Sequence, residues 1–229
     1  MRVGFKPEPL EPWHKLSHMG FELTEPYDLM FHWNYTGTMW DKRQWPPGMK
    51  VINKDCLCTR KDYIDKVFTK VYGYSSRAQG VWAVAKPNHT NGFKDCKLVL
   101  NEPHEGCFMQ MPFIDCNNFT QKTTTHRVII MDYRPVITVK QTRVVTLNNL
   151  TGDVVNSELV GCPDPKIVDF CRAYPLEYGE LDCCFFDRFY IYDVNPTPGH
   201  GQRYIPEDFK IRYYNEYKHH IYKWLISQL

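Results

Sequence analysis

Apolar residues recur at helical spacing in three stretches of the chain and in short strand-like runs elsewhere. Beyond Thr59, the residues Ile64, Val67, Phe68, Val71 and Tyr72 fall three and four apart, which predicts an amphipathic helix. Thr59 with Asp62 resembles a capping box at its start, and Gly73 stands where a C-terminal cap belongs. A second helix is expected from Asp164-Pro165, with Asp164 as N-cap and Pro165 at the first helical position. Its apolar face is Ile167, Phe170, Cys171 and Tyr174. The third runs from Pro206 to Ser227, with Phe209, Tyr213, Tyr217, Ile221, Trp224 and Leu225 along one side.

Strand-like runs are Gly20–Leu23, Leu29–Trp33, Lys50–Asn53, Gly80–Lys86, Cys96–Leu100, Cys107–Asp115, Arg127–Met131 and Pro135–Leu147. Asp132-Tyr133-Arg134 is the turn between the last two, and two further strands flank Asp187-Arg188. Strands in groups with helices between them mean an α+β fold. Trp45-Pro46-Pro47-Gly48 is a clear break, setting off a short N-terminal segment, 1–48, from the region 49–205. The C-terminal amphipathic helix, 206–229, follows.

Composition narrows the classes. A chain of 229 residues holds one compact domain or two small lobes around a cleft. A net charge of +2 with a pI near 8.0 gives nucleic acid no claim as a partner. No run approaches the roughly 18 apolar residues of a spanning helix. MRVGFKPEPLEPW lacks the apolar centre of a signal peptide, so the expectation is a cytoplasmic protein off the membrane. The nine cysteines include no C-x-x-C pair and are odd in number, which argues against a zinc site or a disulfide scaffold. Several sit in apolar runs (KDCKLVL, LDCCFF), where reduced thiols act as small core residues.

The most informative stretch is GELDCCFFDRFYIYDVNPTPG, from Gly179 to Gly199. An even-length loop centred on Asp187-Arg188 would put Asp182 directly opposite Asp193, with Cβ atoms about 5 Å apart. Asn195, two residues beyond, would share their face. That register puts Cys184, Phe186, Phe189 and Ile191 on the aspartate face, and Leu181, Cys183, Phe185, Tyr190, Tyr192 and Val194 on the other. Facing carboxylates among such residues call for a compensating cation, and hard oxygen ligands favour Mg²⁺. The plain alternative is that Asp193 ends its strand and Asp182 stands exposed.

Asp182, followed eleven residues later by Asp193-Val194-Asn195-Pro196 and then Pro198-Gly199, resembles the metal-binding end of the ATP-grasp family. The resemblance implies a two-lobed α+β fold with antiparallel sheets and flanking helices, here with a shortened N-terminal region. The first 45 residues are too short for the complete Rossmann-like domain that usually precedes this fold. The resemblance also implies ATP and Mg²⁺ as cofactors, with Asp182, Asp193 and Asn195 as metal ligands. Lys86, at the end of a strand, would meet the phosphates beneath a loop from Pro87 to Asp95 that holds one glycine, unlike the family's glycine-rich run. A second nucleotide lysine would be Lys61, ahead of Lys54 nearby. Gln110, Met111 and Phe113 resemble the adenine hinge, with Pro112 suited to an edge strand. Arg127 would approach the phosphates or the reacting carboxylate, ahead of Arg134, Lys140 and Arg143, which are candidates for holding an anionic substrate. His200, in PTPGHGQ, would orient substrate.

The activity so implied is a ligase that phosphorylates a small-molecule or peptide carboxylate and passes it to an amine. A kinase on the same fold and a catalytically decayed nucleotide-binding protein are the rivals. The aromatic C-terminal helix is a candidate interface for a homodimer.

Overall fold

The computed structural model describes residues 1–6, 22, 25–32, 45–56, 60–76, 82–87, 97–100, 107–113, 120–146, 149–185, 188–196 and 207–228. For 5, 6, 82–87, 97–100, 107–113, 120, 121, 149–151 and 207 it describes backbone alone. The expected strand at Gly20–Leu23 falls outside these residues except for Glu22, which bridges to Arg2. Thr59, the segment 88–95 and His200 also lie outside them.

Three sheets carry the chain. The first is parallel, in the order β1 (Val3–Lys6), β2 (Leu29–His32), β3 (Val51–Ile52). Its first strand is short and runs into prolines, so no periodicity announces it. The second holds β5 (Lys97–Leu100), β4 (Trp82–Pro87) and β6 (Cys107–Phe113), antiparallel, with β4 central. Pro112 therefore sits on an edge strand, where a missing amide donor is tolerated.

The largest sheet is antiparallel, in the order β11 (Phe189–Asn195), β10 (Tyr178–Phe185), β7 (Thr120–Met131), β8 (Arg134–Thr146), β9 (Asn149–Val160). Asp132 and Tyr133, both at positive φ (54° and 61°), form the two-residue hairpin between β7 and β8. Strand β9 was not expected from the pattern. It is an outer edge strand carrying polar residues on both sides, so no apolar alternation marks it. Gly152 lies at the irregularity in its pairing with β8, at φ 73°, where a Cβ would meet Val145 Cγ2 at 2.8 Å.

Two helices pack one face of this sheet. Helix α1 (Lys61–Tyr72) ends at Gly73, left-handed at φ 82°, whose amide donates to the Thr69 carbonyl. Its N-cap is Arg60, which makes no side-chain capping bond. Helix α2 (Ile167–Ala173) starts two residues later than expected, since Asp164 Oδ1 accepts from the Lys166 amide in a turn before the helix. The core there joins Ile64, Val67 and Phe68 of α1 and Ile167, Phe170 and Cys171 of α2 to Val128, Leu181 and Ile191 of the sheet. Helix α3 (Glu207–Ile226) contributes the other core, where Phe209, Tyr213, Tyr217, Ile221, Trp224 and Leu225 meet Ile129, Met131, Ile137, Val139 and Tyr178. Val3, Leu29, Phe31 and Ile52 of the parallel sheet join the same cluster.

Cys56, Cys171, Cys183 and Cys184 are buried, and Cys162 is exposed. Among the described residues, no helix is long and apolar enough to cross a membrane.

Candidate functional site

Strand β10 lies between β11 and β7, and Asp182 lies near its middle. Its cross-strand partners are Asp193 on one side and Arg127 on the other. Glu180 pairs with Asn195 and Leu181 with Val194, so the expected register holds at this end of the hairpin. Beyond Asp182 it slips by one residue: Cys183 pairs with Ile191, Cys184 with Tyr190 and Phe185 with Phe189. A β-bulge absorbs the extra residue. It corrects the expected faces. Phe189 and Ile191 join Leu181, Cys183 and Val194 in the helix-covered core, while Tyr190 and Tyr192 cluster with Cys184. An even-length loop cannot be assumed when the strand can bulge.

The aspartates are not left to repel each other. Lys61 Nζ, from the first turn of α1, donates to Asp193 Oδ1. Arg127 Nε reaches Glu180 Oε1 at 3.1 Å and Asp182 Oδ1 at 3.3 Å. The expectation that only a bound cation could make this pair tolerable is therefore corrected, because the fold supplies two cations of its own. The five charged side chains are between 4% and 17% exposed, so their fields are weakly screened. Burial pushes the Glu180 carboxyl up to about 7, against Arg127 and with added repulsion from Asp182 and Asp193. Burial opposes the charge on Arg127, yet Glu180 and Asp182 outweigh it and hold the guanidinium above its ordinary range.

Two cations face three acids here. Asp182 and Asp193 offer carboxylate oxygens, and Asn195 follows Asp193 by two residues along the strand. Among the described residues no group of three or more His, Cys, Asp or Glu could by itself hold a metal. Mg²⁺ does not require one, because it commonly takes one or two carboxylates and completes its sphere with water and phosphates. The donor set fits that ion.

Lys86 lies on β4, paired with Phe108, and Phe113 is paired with Trp82. Gln110 and Met111 lie between the paired residues Met109 and Pro112, opposite the irregularity between Ala83 and Ala85. These four nucleotide candidates share the second sheet, whereas Lys61, Arg127, Asp182 and Asp193 meet on or beside the largest one. Of the other basic candidates, Arg134 is exposed and Lys140 pairs with Glu158 at 2.7 Å. Arg143 is buried, and its Nη2 donates to Gln141 Oε1 at 2.7 Å.

No protein-family model and no curated protein matches the sequence. Solved structures do. The D-alanine–D-alanine ligase of Bacillus anthracis, complexed with ATP, superposes with a TM-score of 0.54 at 12% identity, over 90% of this chain and 89% of that one. The ATP-grasp ligase PsnB with its minimal precursor gives 0.51 at 11% identity, over 86% and 90%. PsnB with a phosphomimetic variant of that precursor, Mg and ADP gives 0.51 at 10%, over 89% and 91%. The chain has an ATP-grasp fold. At such identities the likeness concerns architecture.

Within this ATP-grasp fold, two features escaped the sequence reading. Glu180 joins the charged row, and its place two residues before Asp182 on a strand was the available signal. The apolar trio Cys184, Tyr190 and Tyr192 forms a small cluster of its own, apart from both main cores. The bulge that places it beside Asp182 leaves no mark in the pattern.

Proposed function

We propose that the chain is an Mg-ATP-dependent ligase that activates a carboxylate as an acylphosphate for attack by an amine or other nucleophile. The observation that carries this reading is the pairing of Asp182 with Asp193 across adjacent strands of an ATP-grasp fold, with Arg127 and Lys61 bound to them. Asp182, Asp193 and Asn195 would hold Mg²⁺, whose charge favours the phosphates' approach and steadies the transferring group. Lys61 and Arg127 would turn from their carboxylates to phosphate oxygens, neutralising charge that builds in the transition state. Lys86, Gln110, Met111 and Phe113 are assigned to the nucleotide, and His200 to orienting substrate.

In the first step a substrate carboxylate oxygen bonds to the γ-phosphorus as the bond to the β–γ bridging oxygen breaks, and ADP leaves. In the second, the amine nitrogen attacks the acyl carbon, inorganic phosphate departs with the bonding pair, and the amine loses a proton. The carboxylate belongs to a small molecule or a peptide. A cytoplasmic setting, where ATP is available, suits this chemistry.

A screen of amino acids and small peptides for ATP-dependent phosphate release tests the reading. ADP formed only when carboxylate and amine are both present supports it, and a stable phosphorylated product would point to a kinase instead. Asp193→Asn keeps an acceptor for Lys61 but removes a charged metal ligand. Mg²⁺-dependent ATP turnover should be lost in this variant while its circular dichroism is retained. Unchanged turnover would remove the aspartate pair from the mechanism.

A further inference from the structure

The face of the largest sheet that carries the charged row continues onto β8 and β9. Cross-strand partners share a face, and here Ser157, Gln141, Thr125 and Cys184 form one row across β9, β8, β7 and β10. The adjacent row is Leu159, Val139, Arg127, Asp182 and Asp193. Gln141 is thus a diagonal neighbour of Arg127, with Cα atoms about 7–8 Å apart.

Gln141 is 1% exposed. Its Oε1 accepts from Arg143 Nη2, which fixes the amide orientation and leaves Nε2 as the donor end. That nitrogen is buried and has no hydrogen-bond partner among the described residues. The hydroxyl of Ser157, on the position paired with Gln141, is likewise buried with no partner among the described residues. Leaving a buried donor unmade costs about 1–3 kcal/mol, so two on adjoining positions call for an acceptor. Arg143 brings a cation to this place. Arg143 acts on Glu180 and on Tyr192, favouring their ionised forms.

We propose that Gln141, oriented by Arg143, forms with Ser157 a binding subsite for an oxyanion, either a substrate carboxylate or a terminal phosphate, beside the aspartate pair. The subsite explains why a glutamine is kept dry next to an arginine rather than replaced by an apolar residue. It rests on the proposed ligase reading only for the source of the oxyanion, not for its own existence.

The test follows the Gln141 side-chain amide in nitrogen–proton NMR spectra of the full chain, with the signal assigned by its loss in Gln141→Met. Methionine has nearly the same shape and no donor. Gln141→Leu serves for the assignment if the first variant does not fold. The protein is titrated with sodium phosphate and, separately, with sodium succinate, against sodium chloride at equal ionic strength. A saturable shift of the Gln141 pair, absent with chloride and accompanied by at least tenfold weaker anion binding in Ser157→Ala, is expected. A shift with phosphate alone assigns the subsite to the nucleotide, with succinate alone to the substrate carboxylate, and with both to either oxyanion. No shift with either anion overturns the proposal, whether or not Mg-ATP binds. If the shift is present but Mg-ATP does not bind, the ligase reading fails and the oxyanion subsite stands.

Discussion

At the scale of residues, the ion pair between Lys61 and Asp193 decides how the site behaves when empty. Lys61 is 5% exposed, so its ammonium has exchanged water for a carboxylate. Removing one partner of such a pair costs about 3–5 kcal/mol, largely because the other charge is left buried. In Lys61→Met, Asp193 also faces Asp182 with one fewer cation nearby. We expect this variant to lose about 3 kcal/mol in urea unfolding, and Lys61→Met/Asp193→Asn to recover a substantial part of the loss. A double variant no more stable than the single one would show that the aspartates do not repel across the strands. Added Mg²⁺ should raise the unfolding midpoint of Lys61→Met more than that of the double variant. None of this was legible in the chain. The spacing of Asp182, Asp193 and Asn195 pointed to their meeting, but a lysine on the first turn of a helix more than a hundred residues away has no periodic relation to them. The ATP-grasp resemblance brought Lys61 forward as a nucleotide lysine. Its partner in the described structure is a carboxylate.

At the scale of elements, Asn53 ties the parallel sheet to the hairpin. It follows β3 at φ 59° and is fully buried. Its side chain donates to the Tyr178 carbonyl at 2.7 Å and accepts from the Tyr178 amide at 3.0 Å, bracketing the start of β10. A longer bond, 3.4 Å, reaches the carbonyl of Pro196, just after Asn195. Asn53→Gly keeps the left-handed backbone but loses these bonds, and should cost about 2–4 kcal/mol. Asn53→Ala should cost about 1 kcal/mol more, because a Cβ is disfavoured at positive φ. Equal thermal stability of the two variants would mean that the backbone conformation there carries no strain. The expected strand Lys50–Asn53 caught the element and missed the clamp, since tertiary bonds from one asparagine leave no pattern. The same division runs through the fold. Helices with a complete apolar stripe (Ile64 to Tyr72, Phe209 to Leu225) were readable to within a few residues. Strand β9 was not, because neither of its sides is an apolar row. The bulge in β11 was not, because an inserted residue changes faces without changing composition.

At the scale of the whole molecule, one apolar cluster gathers Val3, Leu29, Phe31 and Ile52 from the first strands, Ile129 and Tyr178 from the largest sheet, and Trp224 and Leu225 from the last helix. Disturbance of the parallel sheet should therefore be felt by the entire fold, and His32 gives a means of applying it by pH. The ring is 1% exposed, edge-on to Trp45, with Nδ1 donating to the Asn53 carbonyl at 3.1 Å. Burial lowers its pKa below 6.5, partly offset by that carbonyl. A depressed histidine pKa means that the unfolded chain takes up the proton first as pH falls. Stability from neutral His32 is then complete above about 6.5 and lost as pH drops through the folded value. His126 is lowered in the same direction, by burial and then by Lys140, against Glu158. The two histidines should thus withdraw stability between pH 7 and pH 5, against Glu180, which burial pushes up to about 7 and which takes its proton first in the fold, adding stability over the same interval. His32→Asn retains a donor for the Asn53 carbonyl but cannot titrate, so its urea midpoint should gain on that of the wild type as pH falls over the same interval. The remaining slope would combine His126 with the opposing Glu180. If the single variant falls as steeply as the wild type, His32 is already charged in the fold or indifferent to it. A flatter profile that appears equally by fluorescence and by far-ultraviolet dichroism would show that protonation in the first sheet unfolds the hairpin sheet in the same step. That is the outcome expected of sheets sharing one core.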